Sequence, residues 1–422
     1  MVLMLIWGLL WPAGQTPLIG QTTSSVRAVI REINPSVDHN HCTTRQFQHK
    51  TFFHEGVWFV FYSDGADFCY QTSDDMGETW QLAREPVDQA PNGSSSFDVI
   101  KIGNKVYISH AYYPLGRYDV NAPYARDSSR RGEYRTEGRI KEGCIEGREI
   151  RWVVDRNPGF TIDYSNIVRD SEGYFWIFAR KSQQGIVYRS QRPDNTGDWM
   201  PESICLPEKG RHAFNAAAMH DGALYIVSML TSGGKLYGNL YDGQTWGEEA
   251  VLISDNVTKV AGDDRRLSLE FDPVQQRLHL IYIDAESILR YRFLDAPYQP
   301  ENWQPGLANA GLELARDVFT CALSMDTTRI PCDLPITYGL EKHVGKDRRE
   351  RTGELYVRRF DGQNWLGTAI LMSQPGTIHN WYPSVNEDCS DGLCMMYSRS
   401  VDPSDLGKPL AVMVSVSRLK DD

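Results

Sequence analysis

Four arginines, Arg45, Arg211, Arg265 and Arg316, stand just ahead of alternating apolar runs. A guanidinium is planar, stays charged at physiological pH and can bind a carboxylate through two parallel N–H bonds. Brought together from distant parts of the chain, such groups would clamp one anion. Other residues at equivalent places could do chemistry beside them: Asp98 after Phe97, Tyr164 after Asp163, His212 beside Arg211, and His379, Trp381 and Tyr382 in one short stretch. Histidine exchanges a proton near neutral pH. Tyrosine becomes a nucleophile only beside a carboxylate base, and the rings of Tyr164 and Trp381 can stack on sugars. Each also has a structural reading: core histidines, a Tyr382 ring packed between sheets, and arginines bridging to Asp98, Asp163 or Asp317. The run Asp38-His39-Asn40-His41 has no further ligands placed beside it, so no metal site and no cofactor are expected.

The elements that must position these residues are short strands. Val57-Trp58-Phe59-Val60-Phe61-Tyr62 reads as a strand, a second run surrounds Cys69-Tyr70-Gln71, and Ser73-Asp74-Asp75-Met76-Gly77-Glu78-Thr79-Trp80 follows. In Ser-x-Asp-x-Gly-x-x-Trp, Asp75 can accept bonds from turn amides and Gly77 can take positive φ. Trp80 can fold back as an apolar plug. Relatives of this turn recur at Tyr241-Asp242-Gly243-Gln244-Thr245-Trp246 and Phe360-Asp361-Gly362-Gln363-Asn364-Trp365. The whole unit repeats about every 50 to 60 residues, the scale of a four-stranded blade.

The Ser73, Asp75, Gly77, Trp80 pattern is the Asp box of bacterial neuraminidase repeats, and the chain resembles the sialidase-like β-propeller superfamily. The resemblance and the repeats together predict an all-β fold: a seven-bladed propeller of four-stranded antiparallel blades, with six blades as the alternative. Residues 30–42 would supply a closing strand between the first blade and the last. Inner strands of a propeller converge on the central channel, so the residues at their starts should carry the site. The resemblance implies arginines on a sugar carboxylate, with Arg45, Arg316 and either Arg265 or Arg266 matching, Tyr382 as nucleophile, Glu270 as its partner and Asp98 as acid/base. The family's Arg-Ile-Pro signature is absent at Arg45 and occurs only at Arg329-Ile330-Pro331. Polysaccharide lyases on propellers imply a second chemistry, in which His212 or His379 and Tyr164 exchange protons while Arg211 neutralises a uronate. A third reading is a carbohydrate-binding module without catalysis, so whether the chain is an enzyme stays open.

At 422 residues, one repeat domain over residues 26–422 is the economical organisation. Trp 11, Tyr 21, Phe 15, Gly 35 and Pro 21 supply the aromatic strands and turns of such a fold. The first residues, Met1 to Trp11, are apolar but too short to span a bilayer; residues 1–25 read as a signal or anchor segment, although no Lys or Arg precedes Arg27. The expected location is secreted or cell-surface. Net charge of -11 disfavours nucleic acid and anionic membrane, whereas a local arginine cluster could still hold an acidic glycan, the expected partner of an expected monomer. Eight cysteines agree with export. Symmetry about turns pairs Cys389 with Cys394 and Cys321 with Cys332 as disulfides, and leaves Cys42, Cys69, Cys144 and Cys205 unassigned.

Overall fold

A computed structural model describes residues 28–37, 48–64, 68–81, 85–88, 97–112, 137–160, 162, 165–181, 184–204, 212–230, 233–257, 266–305, 311–329, 333–344, 351–377, 379–400 and 410–419. Residues 1–25, expected as a signal or anchor segment, lie outside them, as do residues 115–131. The chain is all-β, and its sheets are antiparallel meanders arranged as a propeller. Five are four-stranded, over residues 51–88, 97–156, 166–202, 212–254 and 267–315. The other eight strands, from residues 318–371 and 380–417 together with Val29–Val37, form one continuous sheet.

This corrects the expected architecture of seven, or six, four-stranded blades: five sheets are four-stranded blades and the last repeats are fused. The join is at Gly353, which pairs with Asn380 in the ladder and accepts a 2.9 Å bond from Asn380 Nδ2. A Cβ on Gly353 would sit 1.7 Å from Leu340 O, so only glycine permits this approach.

Most strands are buried on both faces because each sheet is sandwiched between two others. In Val57–Ser63, Trp58, Val60 and Tyr62 pack on Met396, Val412 and Val414 of the last sheet, whereas Phe59 and Phe61 pack on Val99 and Ile108 of the second. Alternation therefore selects which neighbour a residue meets, and apolar residues run continuously along the strand.

The innermost strand of each sheet leaves one row of N–H groups unpaired. Polar side chains on the neighbouring inner strand meet them. Asp98 Oδ2 accepts from Ile167 N (2.8 Å), Asn166 Oδ1 from Ala216 N (2.9 Å), Asn215 Oδ1 from Leu269 N (2.6 Å) and Ser268 Oγ from Leu323 N (3.2 Å). Ser324 Oγ donates to Asn386 O, Ser384 Oγ to Gln48 O, and His49 N to Asp98 Oδ1 at 2.6 Å, which closes the ring.

Val29–Val37 is the outermost strand of the last sheet, paired with Leu410–Ser417. It holds the first blade through Arg31, which donates to Glu78 O at 2.9 Å and pairs with the Glu78 carboxylate, and through Gln71 Nε2 donating to Ile33 O. The Ser73–Trp80 turn has the expected bonds. Gly77 N donates to Ser73 Oγ (2.9 Å), Thr79 N donates to Asp75 Oδ1 (2.8 Å), Gly77 has φ 87° and Trp80 packs back on the apolar cluster between the first and last sheets.

The disulfide expectation is corrected. Cys389 and Cys394 are buried thiols with no bond between them. Cys389 N donates to Met325 O and Asp388 bridges to Met325, so this loop is drawn toward the preceding repeat and away from a two-residue hairpin. Cys389 packs with Phe319 and Ala322, and Cys394 with Trp58 and Met396, in different clusters. Cys321 is also a buried thiol, and its cross-strand partner is Tyr338; Cys332 lies outside the described residues. Burial pushes both the Cys321 and the Cys394 thiols up.

Candidate functional site

The inner strands run from one end of the channel to the other, and the expected site lay where they start. Arg45, Arg211, Arg265 and Tyr164 fall outside the described residues. Arg316 turns away from the channel, its Nε 2.6 Å from Glu313 Oε1 on the outermost strand of the fifth sheet, Leu312–Ala315. Trp381 and Tyr382 are buried in the apolar cluster between the last sheet and the first, at a register break in Asn380–Val385 where Tyr382 has φ 52°. His212 is a core histidine, its Nδ1 2.6 Å from Ser228 Oγ and its ring stacked with Phe214. His379 is buried and its carbonyl accepts from Ser400 N. Tyr382, His212 and His379 are thus buried in the fold, as the structural alternative for each describes, and Trp381 is buried with them.

Asp98 and Glu270 behave differently, because they share one charged cluster. Asp98 is fully buried and each oxygen is occupied: His49 N on Oδ1, Ile167 N and Asn166 Nδ2 (2.8 Å) on Oδ2. It is a clasp between three sheets. Glu270, on Leu267–Asp272, is 5% exposed, and its Oε1 lies 3.5 Å from His49 Nε2, a charge contact without hydrogen-bond geometry. Among the described residues no donor satisfies that oxygen.

Where the inner strands finish, a cavity of about 210 Å³ opens with residues from every sheet around it, including His49, Asn166, Ala217, Glu270, Met325 and Glu387. A second cavity of about 270 Å³ adjoins it over Phe271, Met325 and Glu387, with His220 and Asp388 on its margin. The His220 ring stands edge-on to Phe271 at 5.4 Å.

Burial disfavours each charge in the cluster, and the charges offset one another. Desolvation pushes the Glu270 carboxyl up to about 7, against the His49 contact that lowers it. Desolvation likewise pushes Asp98 up to about 6, with His49 and the N–H bonds opposing. For His49, desolvation acts downward, but Glu270, Glu387 and Asp98 outweigh it and raise the imidazole to about 9. At neutral pH the floor of the cavity is thus an imidazolium beside a carboxyl that readily gains or loses a proton. It can donate to, accept from or exchange protons with a bound hydroxyl.

His49 and Glu387 were missed by the sequence reading. His49 belongs to the polar triplet Gln48-His49-Lys50 ahead of the first inner strand, and Glu387 follows the last inner strand. Attention to the ends of the inner strands as well as their starts would have found Glu387. Among the described residues, no group of three or more His, Cys, Asp or Glu side chains could hold a metal ion.

No protein-family model and no curated protein sequence matches the chain. Among solved structures, it is similar to the BP39L lectin from Burkholderia pseudomallei, with 13% identity, TM-score 0.52, and 76% of this chain and 82% of the lectin covered. It is also similar to Trypanosoma rangeli sialidase, with 13% identity, TM-score 0.49, and 94% of this chain and 60% of the sialidase covered. A PL25 ulvan lyase matches with 12% identity, TM-score 0.47, and 91% and 97% covered. At such identities the likeness is one of fold, so the sialidase resemblance reaches the propeller and stops there.

Proposed function

We propose that the protein is a carbohydrate-recognising β-propeller that holds its sugar at the end of the channel where the inner strands finish. The observation that carries this reading is the cavity itself, lined from every sheet, with the buried Glu270 carboxyl and its 3.5 Å His49 contact among its lining residues. A saccharide presents closely spaced hydroxyl donors, and its C–H face suits an aromatic floor such as Phe271 in the adjoining cavity. The fold shared with a lectin agrees with this reading without carrying it. The carboxylate clamp expected from the arginines gains nothing from Arg316, which is paired with Glu313.

A second reading has a specific observation behind it. Glu270 is held near neutral pKa in a cavity that Glu387 also lines, and two carboxyl groups in unlike environments are what glycoside hydrolysis uses. Such a hydrolase would not need Tyr382. A glycan array followed by calorimetry tests the first reading and reducing-end release on the bound glycans tests the second. Glu387→Ala, at an exposed position, should leave the melting temperature unchanged and weaken sugar binding about tenfold, roughly 1.4 kcal/mol. Unaltered affinity in both Glu387→Ala and Glu270→Gln would sink the assignment of the site.

A further inference from the structure

We propose that the second cavity is a subsite for an uncharged aromatic ring borne by the saccharide, an inference that rests on the reading that this end of the channel holds a sugar. The two cavities share Ala218, Phe271, Met325 and Glu387, so one ligand can occupy both. Their remaining linings differ in kind. Around the first, the opening three sheets place His49, Lys101, Asn166 and Arg169. Around the second, the fourth and fifth sheets and the last place Met219, His220, Pro273 and Thr327. A ligand matched to both is polar at one end and apolar at the other.

The apolar end suits a flat π-system better than an alkyl chain. Met219 and Met325 bring polarizable thioethers that favour contact with aromatic rings, Phe271 brings a ring of its own, and Pro273 an apolar C–H face. A dry apolar cavity of about 150 Å³ holds benzene. The second cavity, at about 270 Å³, therefore takes a phenyl ring with small substituents. Its floor is fixed before a ligand arrives. Met325 N donates to Glu387 O at 3.0 Å, the Met325 carbonyl accepts from Cys389 N at 3.0 Å, and Met219 N donates to Ala223 O at 2.8 Å. The Phe271 ring is held by two edge-to-face contacts, with His220 at 5.4 Å and Tyr298 at 6.0 Å. Such preorganisation lowers the ordering cost of binding. The Glu387 and Asp388 carboxylates on the margin repel an anionic ring. The class that fits is a neutral aryl or phenolic group, whose hydroxyl the exposed His220 can meet.

The test uses the full chain with isotope-labelled methionine methyl groups, followed by NMR, and phenol, cyclohexanol and benzoate as probes. Met219→Leu and Met325→Leu, which nearly conserve volume, assign the two signals. Phenol at up to about 20 mM should give saturable ring-current shifts at both methyls. Cyclohexanol, of the same size without a π-system, should bind about fivefold more weakly than phenol, and benzoate should also bind more weakly. His220→Ala, at an exposed position, should weaken phenol at least about threefold with its melting temperature unchanged, and Phe271→Leu should do the same in a folded chain. Absence of saturable shifts overturns the inference, as does cyclohexanol or benzoate binding as tightly as phenol, or phenol affinity unaltered in both His220→Ala and Phe271→Leu. An array sugar lost in Glu387→Ala while phenol gives no shift leaves the saccharide reading standing. Phenol shifts with no array sugar bound overturn that reading, and with it the claim that a sugar carries the ring.

Discussion

Asp98 and Glu270 are both buried carboxyl groups of inner strands, and what surrounds their oxygens separates their roles. Asp98 accepts three N–H bonds from two neighbouring sheets. Asp98→Ala would leave those donors buried and unsatisfied, at a cost of about 3 kcal/mol in unfolding free energy, measurable by denaturant titration. Glu270 Oε1 instead has a 3.5 Å contact with His49 Nε2, and its burial has a pH signature. Its folded pKa is raised from 4.5 to about 7, so its contribution to stability is fully present below 4.5 and lost as pH rises through 7. His49, raised from 6.5 to about 9, adds stability that is full below 6.5 and lost through 9. Melting temperature should therefore fall from mildly acid to alkaline pH. Glu270→Gln should flatten the part between 4.5 and 7, and should move the His49 titration, followed by NMR, downward. An unmoved His49 titration would refute the pairing. The sequence made Asp98 and Glu270 legible as inner-strand residues, but not their difference, which depends on donors from other sheets. His49 and Glu387 escaped notice because their meeting with Glu270 is a property of the closed ring.

The turns were readable from local chemistry, since Ser73, Asp75, Gly77 and Trp80 need only each other and one neighbouring strand. Loss of Asp75, whose carboxyl is held low by the Thr79 side-chain and backbone bonds, should cost about 1 kcal/mol and leave sugar binding intact. The closing strand was expected over residues 30–42, from its place ahead of the first repeat, and Val29–Val37 takes that place by pairing with Leu410–Ser417. Removal of residues 1–37 would expose the edge of Leu410–Ser417 and delete the Arg399–Glu32 pair. The truncated chain should melt lower and self-associate through that edge on size-exclusion with light scattering; an unchanged monomeric profile would argue against the strand's role. Two features depended on contacts far apart in sequence and were misread. The Gly353–Asn380 pairing fuses two repeats into one sheet, and the Met325 bridge pulls Cys389 away from Cys394. Mass mapping of unreduced peptides should find Cys389 and Cys394 unlinked; a Cys389–Cys394 peptide would contradict the loop geometry.

At the scale of the molecule, the ring of inner strands carries polar clasps along its length and gathers uncommitted charge at one end. Repeats made that convergence predictable in kind, because inner strands of any propeller meet at the axis. They did not say which end would be used. The described residues favour the end where the inner strands finish: there Glu270, Glu387 and His49 line one cavity, whereas Arg316, Trp381 and Tyr382 are engaged in the fold. The most direct measurement is a crystal structure of the chain with the tightest ligand from a glycan array. The account predicts a sugar hydroxyl within hydrogen-bonding distance of the Glu270 carboxyl, with Glu387 alongside and a ring near Phe271. A sugar bound where the inner strands start, or on the outer rim of the blades, would contradict it.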